Sequence, residues 1–389
     1  MIPEQPENTS LFEIAQVFLK LGTIAFGGPA AHIALMEEEF VRRRNWLTHQ
    51  EFLDRLGAAN LIPGPSSTEM AIHIGYARRG WKGLFVAGVC FILPAAIIVS
   101  LIAAAYVRYG SFPQIEGLLY GIKPVVVAIV AQAFWKLTKS AVKSVVLFAI
   151  GVLAGVLYAF NINTIGILVL AAFLATGPLL FKVHHHSFSF STLGLGQLSF
   201  RTAAAAGVVA VTNGARFSLL RLFGTFLKIG AALFGSGYVL LAFLRADFVL
   251  RLRWLTEKQL LDAISVGQFT PGPVFTTATF IGYVIAGVPG AIVSTVGIFL
   301  PGFFLVAASG PIVRNVRRYP IAAAAFDGVN VASLALMGVV AIQLGKAALV
   351  DPLTAVIAAI TLVILLRTRL NPAWTIAGGA VLGVVKSFF

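Results

Sequence analysis

The chain has 389 residues, 58% of them hydrophobic and 11% charged; a soluble domain carries roughly a quarter charged residues, so the composition excludes one and points to an integral membrane protein. A single cysteine, Cys90, excludes disulfides and a thiolate metal cluster. The net charge of +14 sits in short loops between apolar runs, where membrane orientation explains it better than a nucleic-acid partner does.

In chain order, the first residues, MIPEQPENTSLFE, hold three acids and no Lys or Arg before Lys20. They lack the basic start of a cleaved signal peptide, so the first apolar run, 11–36, is expected to remain as a span. It is interrupted at Phe26-Gly27-Gly28-Pro29. An amphipathic helix then enters the turn Pro63-Gly64-Pro65, and a short helix leaves it through Ser66, Ser67 and Thr68. Four further spans are predicted at about 83–107, 117–135, 141–160 and 164–181, closing a first repeat of 1–181. A basic linker of 182–216 collects Ser, Gly and His. The second repeat, 217–389, opens with a span at 217–244, interrupted at Phe234-Gly235-Ser236-Gly237. It breaks at Pro271-Gly272-Pro273, continues through Val274, Phe275, Thr276 and Thr277, and adds spans at about 290–313, 321–344, 352–366 and 373–385.

The repeat is visible residue by residue. At an offset of 208, FLKLGTIAFGG at 18–28 meets FLKIGAALFGS at 226–236, WLT at Trp46 meets WLT at Trp254, and the two Pro-Gly-Pro turns coincide. After the turns the offset is 207, and Ile74-Gly75-Tyr76, Gly80, Gly83 and Leu93-Pro94 meet Ile281-Gly282-Tyr283, Gly287, Gly290 and Leu300-Pro301. With each turn entering and leaving on one side, every half crosses five times, and an odd count inverts the second half. Placing the N-terminus outside puts 19 of the 29 Lys and Arg in inside loops and 7 in outside loops, with 3 within spans. The fold class expected is an all-α polytopic membrane protein of two inverted-topology repeats, whose broken or re-entrant helices meet near the bilayer midplane.

Proline lacks an N–H and blocks the hydrogen bond to the preceding turn, so each Pro-Gly-Pro leaves backbone groups unpaired. At membrane depth that is tolerated only where protein or a watery cavity faces the break. The helix that starts after each turn presents free N–H groups and the positive end of its dipole, which is an anion site. Inverted repeats with two such half-helices are the architecture of secondary transporters. Structural kinks are the alternative reading for either turn alone. Glycines at 27, 28, 235 and the serine at 236 either let backbone approach a substrate or let helices pack closely.

FGGPAAHIALM, WLTHQEFLDRLGAANLIPGP, IGYARRGWKGLFVAG and FILPA, with their second-half echoes, resemble the chromate ion transporter family in its long form of two fused halves. The likeness covers nearly the whole chain. It implies export of chromate, a tetrahedral dianion that mimics sulfate, driven by an ion gradient, and it agrees with the inverted arrangement. The second half departs from the first, with Gly235-Ser236-Gly237 in place of Gly-Gly-Pro.

The substrate-binding set expected is therefore Lys20, Gly27, Gly28, Gly64, Ser66, Ser67, Thr68, Lys228, Gly235, Ser236, Gly272, Phe275, Thr276 and Thr277. Lys20 and Lys228 are repeat partners inside apolar runs, where a charge is a functional hypothesis; snorkelling to the headgroups is the alternative. Lys123 has a neutral counterpart, Asn330. Glu69, one turn past the first break, and His32 and His73 are the proton-coupling candidates. No metal site or cofactor is expected, nor an enzyme: there is no Walker A motif, no H-E-x-x-H and no G-x-S-x-G. The partners expected are a chromate-like or sulfate-like oxyanion, the proton as coupling ion, the lipid of the cell (inner) membrane and, as a candidate, a second copy in a homodimer. A sulfate carrier, a passive anion channel and a membrane scaffold are the rival functions.

Overall fold

A computed structural model describes residues 9–26, 28–59, 62–110, 112–160, 162–184, 217–233, 239–316, 320–368 and 370–388. The first half contains α1 (Leu11–Ile24), α2 (Gly28–Glu37) with a π-helical continuation (Glu38–Arg43), α3 (His49–Ala59), α4 (Ser66–Tyr109), α5 (Pro113–Ala141), α6 (Val145–Ala159) and α7 (Thr164–His184). The second contains α8 (Leu219–Ala232), α9 (Leu240–Leu244) with a π-helical continuation (Arg245–Arg251), α10 (Glu257–Phe269), a 3-10 turn (Val274–Thr276), α11 (Thr277–Val316), α12 (Pro320–Ala348), α13 (Pro352–Arg367) and α14 (Pro372–Lys386). The sequence repeat is thus a repeat of seven helices. It extends to backbone irregularities: Asn45 (φ 51°) and Arg253 (φ 55°), 208 residues apart, are the two described non-glycine residues with positive φ. The linker expected at 182–216 begins within α7, and 185–216 lie outside the described residues.

Neither α4 nor α11 is a single rod. A straight helix of 44 residues would be about 66 Å long, twice the hydrocarbon thickness. Helical geometry fails at Arg79-Gly80 (Gly80 φ 55°, ψ −140°) and at Ala286-Gly287 (Gly287 φ 60°, ψ −150°), where glycine supplies the left-handed φ. The chain doubles back at both places. A Cβ on Gly75 would overlap the Gly83 carbonyl and lie 2.5 Å from the Ala87 Cβ, although eight residues along a straight helix are about 12 Å apart. Gly282 meets the Gly290 carbonyl in the same way, and Thr279 and Thr295 hydroxyls lie 2.7 Å apart. Residues 66–78 therefore form a short helix lying antiparallel on the long helix 81–109, with 277–285 and 288–316 as its counterpart. Helix α3 and residues 66–78 each rise only about 16–20 Å, which suits a re-entrant hairpin better than two spans.

The first span expected in each half is also a hairpin, and this corrects the five-crossing count. Phe18 of α1 packs on Phe40 with ring centroids 5.1 Å apart, and Arg44 reaches back to Glu13 at 2.6 Å. Arg78 donates to the Thr9 hydroxyl at 2.6 Å. The second half repeats this with Phe226 on Phe248 at 4.8 Å, Lys228 on Asp247 at 2.6 Å and Phe217 on Trp254 at 5.3 Å. The break at Ala25 turns α2 back along α1, so the chain returns to the end from which it entered. The start of α1, at residues 9–13, consequently shares an end of the bundle with Arg44 and Arg78. The expectation that put this end of α1 opposite them is overturned by those contacts.

Three helices expected to span are short. Helices α6, α13 and α14 have 15, 16 and 15 residues, about 22–24 Å, against a hydrocarbon core of about 30 Å. The Ser144 hydroxyl caps α6 by accepting from the Leu147 N–H, so that helix starts four residues later than the apolar run suggests.

Candidate functional site

Four hairpin tips meet between the halves. The Gly64 N–H of the first Pro-Gly-Pro donates to the Leu233 carbonyl at 2.7 Å, where α8 ends, and the Gly272 N–H of the second donates to the Ala25 carbonyl at 2.9 Å, where α1 ends. Each turn thus docks on the broken helix of the other half. Glycine is required at both turns, with φ of 137° at Gly64 and 90° at Gly272. Glycines also bring the arms together: a Cβ on Gly22 would lie 2.5 Å from the Phe91 carbonyl, and Gly230 meets the Ile298 carbonyl in the equivalent place.

Beyond the turns, the helices start bare. Pro65 and Pro273 occupy the cap positions and neither start receives a side-chain hydrogen bond. Six other helices are capped, by Ser10, Ser144, Ser218, Thr256, Asp351 and Asn371, while α5 and α9 start without a side-chain cap after Phe112 and Val239. The Thr68 and Glu69 N–H groups donate to the Pro65 carbonyl at 2.8 and 3.1 Å, and Thr276 N–H donates to Pro273 at 3.0 Å. The amide groups of Ser66, Ser67, Val274 and Phe275 precede these first bonded N–H groups.

The two sides of the crossing differ chemically. Glu69 is fully buried and neither carboxylate oxygen has a hydrogen-bond partner among the described residues; a Cβ on Gly64 would overlap its Oε1, and one on Gly302 of α11 would lie 3.9 Å from it. Ser67 and Thr68 are buried beside it, and the Thr68 hydroxyl has no partner among the described residues. His73, one turn on, is 7% exposed, its Nε2 likewise without a partner among them. His32 donates from Nε2 to the Ala25 carbonyl at 3.0 Å, the same oxygen that receives Gly272. On the other side Phe275, Thr276 and Thr277 are buried, and both hydroxyls are spent on the Pro273 and Val274 carbonyls at 2.8 Å. Thr276 and Phe280 stand where the first half has Glu69 and His73.

Of the residues expected to bind substrate, Gly64, Ser66, Ser67, Thr68, Gly272, Phe275, Thr276 and Thr277 are brought to the crossing, together with Glu69 and His32. Gly28 begins α2 with φ 78°. Gly27, Gly235 and Ser236 lie outside the described residues. The two lysines are used differently from the expectation: Lys228 pairs with Asp247, which also holds Arg251 at 2.9 Å, and Lys20 is exposed with its charge acting on Glu39, the repeat mate of Asp247. Lys228 ties the arms of its hairpin, whereas in the first half Arg44 does so by pairing with Glu13 and Glu39 at 2.6 and 2.8 Å. A signal existed in the sequence, since each lysine is followed 19 residues later by an acid.

Sequence reading missed a second polar centre. A cavity of about 370 Å³ opens between α4, α5, α10 and the end of α12, and is lined by Tyr106, Glu116, Tyr120, Lys123, Lys258 and Asp262 among others. Asp262 is fully buried, 2.8 Å from the Lys123 ammonium, and accepts a 2.8 Å hydrogen bond from the Tyr106 hydroxyl. No group of three or more His, Cys, Asp or Glu able to hold a metal ion occurs among the described residues.

Fold and site define a polytopic helical membrane protein of two repeated halves, whose broken helices converge on one polar crossing. The family model for the chromate transporter matches residues 12–177 and 220–384, and the chain belongs to that family. It is 32% identical to a chromate transport protein of Cupriavidus metallidurans, over 98% of both chains. It is 31% identical to a probable chromate transport protein of Synechococcus elongatus, over 91% of this chain and 89% of that one. An uncharacterized transporter of Bacillus subtilis is 30% identical over 41% of this chain and 92% of its own length, so there a single half makes nearly the whole protein. No solved structure matches the chain.

Proposed function

We propose that the chain is a secondary active transporter that exports chromate or a related tetrahedral dianion, driven by an ion gradient. The observation that carries this reading is the reciprocal crossing: two uncapped helix starts held together by Gly64 on Leu233 and Gly272 on Ala25. Unpaired N–H groups and two dipole ends suit an anion with oxygens on all sides. Gly64, Ser66, Ser67, Thr68, Gly272, Phe275, Thr276 and Thr277 contribute backbone and hydroxyls. Glu69, with His32 and His73 near it, is the proton-coupling group at the crossing, because intramembrane acids without a partner mark proton relays.

The halves, 1–181 and 217–389, are inverted in this reading, and the contacts between helix ends support it. The start of α5 lies against the end of α14, with Gly117 against Ser387, while Lys143 at the start of α6 pairs with Asp327 near the start of α12 at 2.7 Å. Each half, with two returning hairpins and four further helices, begins and ends at one face of the membrane. With inversion, residues 184 and 217 lie at opposite faces. Of the 29 Lys and Arg, 16 then fall at the end holding Arg44 and nine at the opposite end, the rest being Lys20, Lys123, Lys228 and Arg201. The positive-inside rule places the N-terminus in the cytoplasm.

Everted membrane vesicles test the function. The reading expects energised uptake of chromate that exceeds its external concentration, is competed by sulfate and collapses with an ionophore. Flux that never runs uphill makes the protein a channel, and no flux above protein-free membranes makes it a scaffold.

A further inference from the structure

The cavity between α4, α5, α10 and α12 has a chemistry that oxyanion binding does not use. On the facing surfaces of α5 and α10 two ion pairs are stacked in depth. Glu116 and Lys258, both more than half exposed, pair at 2.9 Å at the mouth. Lys123, two turns deeper on α5, pairs with Asp262, one turn deeper on α10, where the Asp262 side chain has no exposure. Tyr106 enters from α4 and bonds the second Asp262 oxygen. Arg245, at the start of the π-helical segment before α10, pairs with Glu257 of α10 at 2.7 Å, while α12 presents Ala347 and Ala348 to the cavity and α5 adds Tyr120, whose hydroxyl donates to Asp351, itself paired with Lys386.

The other half builds the same helices without this centre, so the fold does not need it. At the repeat positions of Tyr106, Lys123 and Asp262 stand Val313, Asn330 and an exposed Asp54. A buried ion pair is costly to assemble and adds little net stability, which leaves its presence in one half to be explained by use. Helix α10 runs from this cavity straight into the second Pro-Gly-Pro turn, nine residues past Asp262.

We propose that this cavity is a proton-exchange site at the face opposite the N-terminus, with Asp262 as the proton acceptor and Lys123 as its charge partner. A proton from the solution at the mouth passes by way of Glu116 to Asp262. Neutral Asp262 releases Lys123, which lies on the same face of α5 as Glu116 and takes that carboxylate as its new partner. Tyr106 keeps its bond to Asp262 in both states, since a tyrosine hydroxyl both donates and accepts. The exchange of partners loosens α10 from α5 and frees the second turn to move. The inference deepens the transport reading, and rests on it for what the proton drives.

The test uses the full-length protein, purified and monodisperse, in proteoliposomes carrying a pH-sensitive dye, with sulfate as the redox-inert probe, and in parallel by infrared difference spectroscopy across a pH jump. Wild type is expected to move protons with sulfate and to show a protonated-carboxyl band on acidification. Asp262→Asn is expected to lose both the proton movement per anion and the part of that band that depends on residue 262, while Asp54→Asn, its exposed repeat mate, keeps both. Asp262→Glu, which preserves the acid, is expected to restore proton movement. Proton movement per anion at the wild-type ratio in Asp262→Asn would overturn the proposal, as would a pH-jump band indifferent to residue 262. An Asp262-dependent band in a protein that moves no oxyanion would uphold the proton site and remove the transport reading. Sulfate flux without protons in wild type would do the reverse.

Discussion

Gly64 and Gly272 occupy equivalent turns and have unequal surroundings. A Cβ at Gly64 meets the far end of the Glu69 side chain, which can swing away, whereas one at Gly272 meets the Ala95 Cβ at 2.6 Å and the Gly22 carbonyl at 3.1 Å, which cannot. Both substitutions also carry the strain of a positive φ, about 1–2 kcal/mol. Gly272→Ala should therefore lower the melting temperature of the purified protein more than Gly64→Ala. Equal losses would mean that backbone strain alone governs both turns. Away from the membrane core, Asp351 is held below the usual carboxylate range by the Tyr120 hydroxyl first, then by the Thr354 N–H and the Lys386 ammonium. A depressed carboxylate stabilises the fold above its unfolded pKa, near 4, and that contribution is lost as pH falls through the folded value. Asp351→Asn is thus expected to melt earlier than wild type at pH 7, with the gap narrowing as the pH drops below about 4. A gap that stays constant over that range would show that the charge is not what Asp351 contributes.

The reversal within α4 sets the element scale. Residues 66–78 can lie on 81–109 only because Gly75 and Gly83 let the two backbones touch, and only because Gly80 supplies φ 55°. These are separable causes. Gly80 has open space around its absent Cβ, so Gly80→Ala should cost only conformational strain, about 1–3 kcal/mol. Gly75→Val drives a side chain into the Gly83 backbone and should cost about 3 kcal/mol or prevent assembly. Thermal stability of the two variants reads this directly, and a Gly80→Ala more damaging than Gly75→Val would refute the packing account. The hairpin formed by α1 and α2 was the element that sequence did not reveal. Residues 11–36 are apolar and long enough to cross, and the sharpness of a break at Phe26-Gly27-Gly28 is not encoded in hydropathy. The paired spacing of Lys20 with Glu39 and Lys228 with Asp247 was the available clue, because an intramembrane lysine with an acid 19 residues later fits two arms lying side by side.

At the scale of the molecule, the repeat, the two Pro-Gly-Pro turns and the boundaries of α13 and α14 were legible, because helical periodicity and helix breakers are local signals. Which tip meets which was not. The bond from Gly64 to Leu233 joins residues 169 positions apart and depends on how the halves pack. The same holds for Asp262, whose helix looks amphipathic and whose burial comes from α4 and α5. Orientation is testable with single cysteines at positions 44, 251 and 317 in a Cys90-free background. A membrane-impermeant thiol reagent should reach 251 from the periplasm and reach 44, 317 and an N-terminal tag only from the cytoplasm. Labelling of 44 and 251 from one side would remove the inversion.

The central claim is that the four hairpin tips hold a tetrahedral dianion. An experimental structure of the purified protein with tungstate, whose heavy centre marks its own position, tests this most directly. The account predicts density between the helix starts after Pro65 and Pro273, within hydrogen-bonding distance of the free amides of Ser66 and Ser67 or of Val274 and Phe275. Tungstate seated elsewhere, beside Lys123 and Lys258 for example, with the tips empty, would contradict it.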